Sequence, residues 1–141
     1  MKAGRALLTT IAALTAAAGF IADMNKTHMF NPRWTPHAKY HDAMTILLAS
    51  MLGTSGTYLL HKKGGNQKFQ LALGTILPGF FWTAMAGSFA FPGAKGLEAE
   101  FPDKVKKLGS LRLNEGFASA VMLALLATGL VIETKRLRVE K

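Results

Sequence analysis

The chain has 141 residues, of which half are hydrophobic and 18% are charged, with no cysteine and a formal net charge of +9. The lack of cysteine excludes disulfides, thiolate metal ligands and thiol redox relays. The basic residues flank apolar segments and form no recognition element, so the predicted partner is a bilayer with anionic lipid headgroups, and no nucleic acid.

Four uncharged apolar runs dominate the sequence, at residues 6–22, 43–60, 69–94 and 116–132. About 17 residues of helix are enough to cross the hydrocarbon layer of a bilayer. Because lipid offers no hydrogen-bond partners, the backbone of such runs has to be helical. The sequence therefore predicts an all-α membrane protein. We expect one transmembrane domain over residues 1–141, a four-helix up-down bundle with spans at about 6–24, 43–61, 69–91 and 115–133.

Small side chains line parts of the first two predicted helices. Helix 1 is rich in Ala and Thr, and helix 2 places Ala49, Gly53 and Thr57 at four-residue spacing. Small residues at this interval are typical of close helix packing in membranes. Two alternatives stay open, because such faces can pack within the chain or against another subunit, either a second copy or a different membrane protein.

The connection between helices 1 and 2 holds most of the histidines, at positions 28, 37 and 41. Thr35 followed by Pro36 is typical of a helix N-cap and first turn, so helix 2 should begin there. His37 and His41 are then four residues apart on one face of the helix.

Three interpretations of this loop compete. In the first, its His and Trp side chains only anchor the chain at the lipid–water boundary. In the second, the loop binds a small lipophilic ligand or substrate, with His37 or His41 as general base and Asp42 orienting it. The other predicted contacts of that site are His28, Arg33, Trp34, Lys39 and, as its floor, Trp82.

In the third interpretation the loop holds a metal ion, with His28, His37 and His41 as ligands and Asp23 or Asp42 as a further one. A single pair of histidines four residues apart is a half-site and does not by itself define a metal centre. No cofactor is clearly implied.

The loop also resembles a known signature. Its elements are Thr27-His28, Phe30-Asn31-Pro32, Trp34, Pro36-His37-Ala38 and His41-Asp42. They are similar to the first-loop pattern of an uncharacterised microbial family of small four-helix integral membrane proteins. The resemblance implies a four-helix bundle with this loop as its distinguishing element, and it implies no particular activity.

The third predicted helix contains Pro78 and, four residues later, Trp82. Proline removes one backbone hydrogen bond, so a kink is expected. The indole N–H of Trp82 needs an acceptor in an apolar setting, and the carbonyl freed by Pro78 is the predicted one.

The connection between helices 3 and 4 carries apolar residues at intervals of four, four, three and three, namely Leu97, Phe101, Val105, Leu108 and Leu111. With Pro102 as a start signal and Gly109 as a stop signal, this pattern predicts a short amphipathic interfacial helix. We expect it to cover the histidine-rich site, where its acidic residues can meet Arg33 or Lys39.

Four spans place both termini on one side of the membrane. Basic residues abut the helix ends there, at 62–63 and 135–138, so both termini are predicted to be cytoplasmic and the histidine-rich loop extracytoplasmic. The protein is predicted to provide a site for a lipophilic ligand or substrate. If it acts on this substrate, it is predicted to be an acid/base membrane enzyme. The alternative is a non-catalytic accessory or structural subunit of a larger complex, which should leave its small-residue stripe uncovered.

Overall fold

The computed structural model describes residues 2–139, and most of them lie in four long helices: α1 (Ala3–Asp23), α2 (Pro36–His61), α3 (Gln67–Ser88) and α4 (Glu115–Val139). Each of the four is long and apolar enough to cross a membrane. The prediction of four long apolar helices is confirmed. Helix α2 begins at Pro36, and the Thr35 side chain accepts a hydrogen bond from the backbone N–H of Ala38.

Each helix packs against its neighbours in sequence, and α1 also packs against α4, so the four form a closed ring. Consecutive helices run antiparallel. Gly19 near the end of α1 faces Ile46 near the start of α2, whereas Thr9 lies 3.0 Å from the ring of His61. We call the end of the molecule that holds turn 62–66 the basic end, and the end that holds connections 24–35 and 89–114 the loop end.

The small-residue faces of α1 and α2 lie between helices. Gly53 is buried, and a Cβ at this position would clash with the backbone of Ala12 and Ala16. Ser50 Oγ donates a 2.8 Å hydrogen bond to the carbonyl of Ala16 across the same contact. A Cβ on Gly56 would lie 3.0 Å from the carbonyl oxygen of Gly74 on α3. The stripe is therefore covered by helices of the same chain.

Large apolar side chains cover the outside of the helices. Examples are Ile21, Met51 and Phe69, which are 75%, 66% and 60% exposed. In water an apolar surface of this extent marks an interaction or membrane site. The buried core inside the ring includes Leu8, Ile11, Leu60, Leu71, Phe81, Trp82 and Leu126.

The connection between α3 and α4 differs from the prediction. It contains two single-turn 3₁₀ helices, Leu97–Ala99 and Pro102–Lys104, and a hairpin of β1 (Lys107–Leu108) and β2 (Leu111–Arg112). The predicted amphipathic helix is wrong.

The physical reason lies in the outer part of this connection. Gly109, with φ of 61°, reverses the chain between the two strands. Leu108 and Leu111 are 72% and 47% exposed, so the apolar spacing does not produce a buried face. A helix of this length needs such a face, because its own hydrogen bonds make it only marginally stable.

Candidate functional site

Two asparagines shape the first connection. Asn25 Oδ1 accepts hydrogen bonds from the backbone N–H of Thr27 at 2.7 Å and from its hydroxyl at 2.6 Å. Asn31, only 2% exposed, donates to the carbonyl of Thr27 and accepts from the backbone N–H of Arg33. Such side-chain bonds satisfy backbone groups that an irregular loop leaves unpaired. They fix Thr27 and His28 against the end of α1.

These contacts also set the tautomer of His28. Its Nδ1 lies 2.9 Å from Thr27 Oγ1, which is itself within hydrogen-bond distance of Asn25 Oδ1. The hydroxyl has one proton, and the amide oxygen can only accept. The hydroxyl therefore donates to Asn25 and accepts from His28 Nδ1–H. This leaves Nε2 of His28 as the nitrogen that can accept or release a proton.

The free nitrogen of His28 faces a carboxylate. Its Nε2 lies 3.8 Å from Asp23 Oδ1, and the ring of Trp34 packs edge-on against the imidazole with centroids 5.4 Å apart. Asp23 is the last residue of α1 and Glu115 the first of α4. Antiparallel packing therefore brings both carboxylates to the loop end.

Two cavities adjoin His28. The first has a volume of about 310 Å³ and lies between the loop-end halves of α1, α3 and α4. Its apolar lining includes Ala18, Phe81, Trp82, Met85 and Ala118, and its polar lining includes Asp23, His28, Lys104, Asn114 and Glu115. The second, of about 440 Å³, is lined by Trp34 and by residues 93–97 and 99–101. His28, Leu97 and Glu115 line both cavities, so the two are neighbours across these side chains.

Trp82 lies in the wall of the first cavity and is 4% exposed. Its Nε1 donates a 2.8 Å hydrogen bond to Thr15 Oγ1 on α1, and the Thr15 hydroxyl donates to the carbonyl of Ile11. The predicted acceptor, the carbonyl freed by Pro78, is therefore wrong. That carbonyl belongs to Gly74, which faces α2, whereas Trp82 points at α1.

The remaining predicted residues lie elsewhere. His37 and His41 are exposed on α2, with their Nε2 atoms 3.1 Å apart, and line neither of these two cavities. Lys39, half-buried on the same turn, also lines neither. Arg33 lies 3.6 Å from Glu100 and stacks over Phe101, so it joins the two connections.

Asp42, beside His41 on α2, has one carboxylate oxygen that is buried and has no hydrogen-bond partner among residues 2–139. The same holds for one oxygen of Glu115. The structure thus groups His28, Trp34 and Trp82 around the cavities and leaves the His37–His41 pair outside them. Across residues 2–139, no three His, Asp or Glu side chains are grouped so that they could hold a metal ion.

The second connection of the loop end is tied to the start of α4. Glu115 Oε1 accepts a 3.0 Å hydrogen bond from the backbone N–H of Leu97, and Glu98 Oε1 accepts one of 2.8 Å from Asn114. The Glu98 carboxylate is stabilised most by the backbone N–H of Glu98, and further by Asn114 and Arg112. These contacts lower its pKa. A Cβ on Gly96 would lie 2.7 Å from Glu115 Oε2 and closer still to Glu98 Oε2. A larger residue at position 96 would therefore require these carboxylates to move.

Sequence reasoning missed the contribution of Glu115 and gave Asp23 only a minor role. The available signal was their position, since Asp23 directly follows the first apolar run and Glu115 directly precedes the last. Asp23 also sits at a helix C-terminus, where the helix dipole disfavours a negative charge. A residue that breaks a local preference in this way is a candidate for function.

A family model described as "Family of unknown function (DUF6640)" matches residues 7–141, which is nearly the whole chain. The match supports the expected relationship to a family without an assigned activity. Neither the curated proteins nor the solved structures contain a match to the chain.

Proposed function

Because the chain belongs to DUF6640, a family of unknown function, we propose a function from its own geometry: an integral membrane protein that binds a small, largely apolar molecule beside His28. The observation that carries this proposal is the cavity of about 310 Å³, apolar at Trp82 and polar at Asp23, His28 and Glu115. Ligand pockets combine an apolar lining with a few placed polar groups in this way.

In this proposal the four helices form an up-down bundle across the bilayer. The apolar side chains exposed on the helices, such as Met51 and Phe69, then face lipid. The basic end lies in the cytoplasm and the loop end outside it, as the positive-inside rule favours. The ligand therefore reaches the cavity from the outer half of the bilayer.

The polar groups of the cavity suit proton transfer. His28 takes a proton from an O–H or N–H of the bound molecule onto Nε2 and later returns it, and Asp23 stabilises the imidazolium formed in between. Thr27 and Asn25 hold the ring in the required tautomer. This assignment gives His28 the acid/base role that the sequence suggested for His37 or His41.

Extraction of bound molecules tests the binding site. Protein is purified from its membrane as wild type, as Ala118→Leu, which fills the cavity, and as Ala124→Leu. Ala124 lies on the same helix and is exposed. Mass spectrometry of the extracts should find a small molecule in wild type and Ala124→Leu that is missing from Ala118→Leu. The same molecules in all three preparations would contradict the proposal.

The histidines are compared in the same assay. His28→Asn should reduce the amount of bound molecule, while the double variant His37→Asn/His41→Asn should retain it. The reverse result would return the site to the His37–His41 pair. Thermal unfolding of each variant shows whether a loss reflects the site or the fold.

The covered small-residue stripe supports a ligand site over the accessory-subunit alternative, because Gly53 and Gly56 already pack within the chain. A larger membrane protein that co-purifies with the wild type in a fixed ratio would favour the subunit instead.

A further inference from the structure

We propose that the basic end holds a second binding site, between α3 and α4, for the headgroup of an anionic phospholipid. A cavity of about 210 Å³ lies there, lined by the two cations Lys68 and Arg138 and by aliphatic side chains that include Leu71, Leu130 and Leu137. This inference rests on the membrane placement proposed above, and it is independent of the cavity beside His28.

Among residues 2–139, the side chains that line this cavity include two cations and no acidic residue. The nearest acidic candidate on α4, Glu133, is fully buried and already engaged, because its Oε1 lies 3.2 Å from Arg5 Nε and 2.6 Å from Arg136 Nη2. Within residues 2–139, neither Lys68 nor Arg138 has an ion-pair partner. In the described part of the chain, two cations thus face the same cavity with no acidic side chain in its lining.

The order of polar and apolar groups fits a lipid. Lys68 is the second residue of α3 and Arg138 the second-last of the described part of α4, so both lie at helix ends, at the expected depth of the headgroups. Leu71 and Leu130 lie about one to two turns further into the helices, where the first carbons of an acyl chain would run. Phosphate oxygens accept charge-assisted hydrogen bonds from guanidinium and ammonium groups, and anionic lipids gain further from the cationic surface.

The test uses delipidated full-length protein in a neutral detergent and native mass spectrometry. The probes are dioleoyl phosphatidylglycerol, which is anionic, and dioleoyl phosphatidylcholine, which is not. Wild type is compared with Lys68→Gln/Arg138→Gln and with the control Lys63→Gln/Lys135→Gln. The control loses the same charge from exposed residues at the same end that do not line this cavity.

Wild type and the control should retain phosphatidylglycerol in preference to phosphatidylcholine. The Lys68/Arg138 variant should bind phosphatidylglycerol about tenfold more weakly or worse, as expected for two cations near a lipid surface. Ala72→Leu, which fills the cavity without removing charge, should show the same loss. An equal loss in the control would show unspecific attraction to the basic end and overturn the proposal.

Inorganic phosphate distinguishes a lipid from a free anion. An excess of phosphate should not displace phosphatidylglycerol from wild type, because it cannot replace the contacts of the glycerol and acyl carbons. Full displacement would overturn the lipid assignment in favour of a phosphate site. The molecule bound beside His28 is measured in the same variants before delipidation and should not change, so failure of either site is recognised separately.

Discussion

The two ends of the molecule treat buried polar groups differently. At the basic end a five-residue turn, 62–66, joins α2 to α3, and the carboxylate of Glu133 is held between Arg5 and Arg136. At the loop end two long connections fold over the helices, and carboxylate oxygens of Asp42 and Glu115 are buried without a hydrogen-bond partner among residues 2–139. Glu133 Oε2 at the basic end is also buried without a hydrogen-bond partner among residues 2–139, but its carboxylate is paired with Arg5. No ion pair among these residues involves Asp42 or Glu115. The buried carboxylate of one end therefore joins two helices, whereas those of the other end keep the capacity to bind a further group.

The largest effect is expected at the close contact between α1 and α2. Gly53→Val should abolish folded protein, because its side chain would overlap the backbone of Ala12 and Ala16, which cannot rotate away. Overpacking typically costs about 1–3 kcal/mol, and a backbone clash more. Size-exclusion yield and thermal unfolding measure the effect. Gly87→Ala is the control, since a Cβ there meets nothing within 4 Å. Equal loss in both variants would contradict the close contact.

Removal of the buried charge at the basic end should have the next largest effect. Glu133→Ala removes the buried carboxylate that pairs with Arg5 across the α1–α4 contact, and breaking a buried ion pair costs about 3–5 kcal/mol. A matched variant at the loop end, Glu100→Ala, removes an exposed pair with Arg33 and should cost less than about 1 kcal/mol. Denaturation midpoints of the two variants measure the two losses of stability. An equal loss in Glu100→Ala would contradict the expected difference between the buried and the exposed pair.

A smaller effect is expected at the hydrogen bond that links the cavity wall to α1. Trp82→Phe and Thr15→Val each remove the bond between the indole N–H and the Thr15 hydroxyl. A double-mutant cycle on unfolding free energies should give a coupling of about 1 kcal/mol. A coupling of zero would mean that Trp82 is held by packing alone. Ser88→Ala, which removes a hydroxyl bonded within its own helix, serves as the reference.

The smallest effect should appear in the pH dependence of stability. The pKa of Glu98 is lowered from its ordinary value of 4.5 by its own backbone N–H, Asn114 and Arg112. Its carboxylate therefore stabilises the fold above pH 4.5, and this contribution is lost as the pH falls through the lowered pKa of the folded state. Glu98→Gln should flatten the acid side of the stability curve. An acid side as steep in Glu98→Gln as in wild type would contradict this contribution.

Much of the fold follows from the sequence, because uncharged apolar runs of this length have to be helical in lipid. The start of α2 also follows, since Thr35 and Pro36 act through local bonds. The partner of Trp82 does not, because it depends on how α3 is rotated against α1. The structure of the connection at 97–112 does not follow from its sequence pattern, since apolar residues at three- and four-residue intervals occur in turns as well as in helices.

The candidate site was predictable in part. The loop with His28 and Trp34 stands out by composition, and Trp82 lines the same cavity as His28. The sequence does not distinguish the histidines, because it does not show which imidazole borders a cavity. Cavities are the volume that packing leaves unfilled, and no local pattern records them.

The contact between Arg5 and Glu133 constrains the order of events during biosynthesis. Arg5 is translated with the first helix and its carboxylate partner with the fourth. The first three helices are therefore made before the fourth can join them, and the ring cannot close until α4 has been translated. Premature termination within α4 would leave α1 without its counter-charge and expose the seam between the first and third helices.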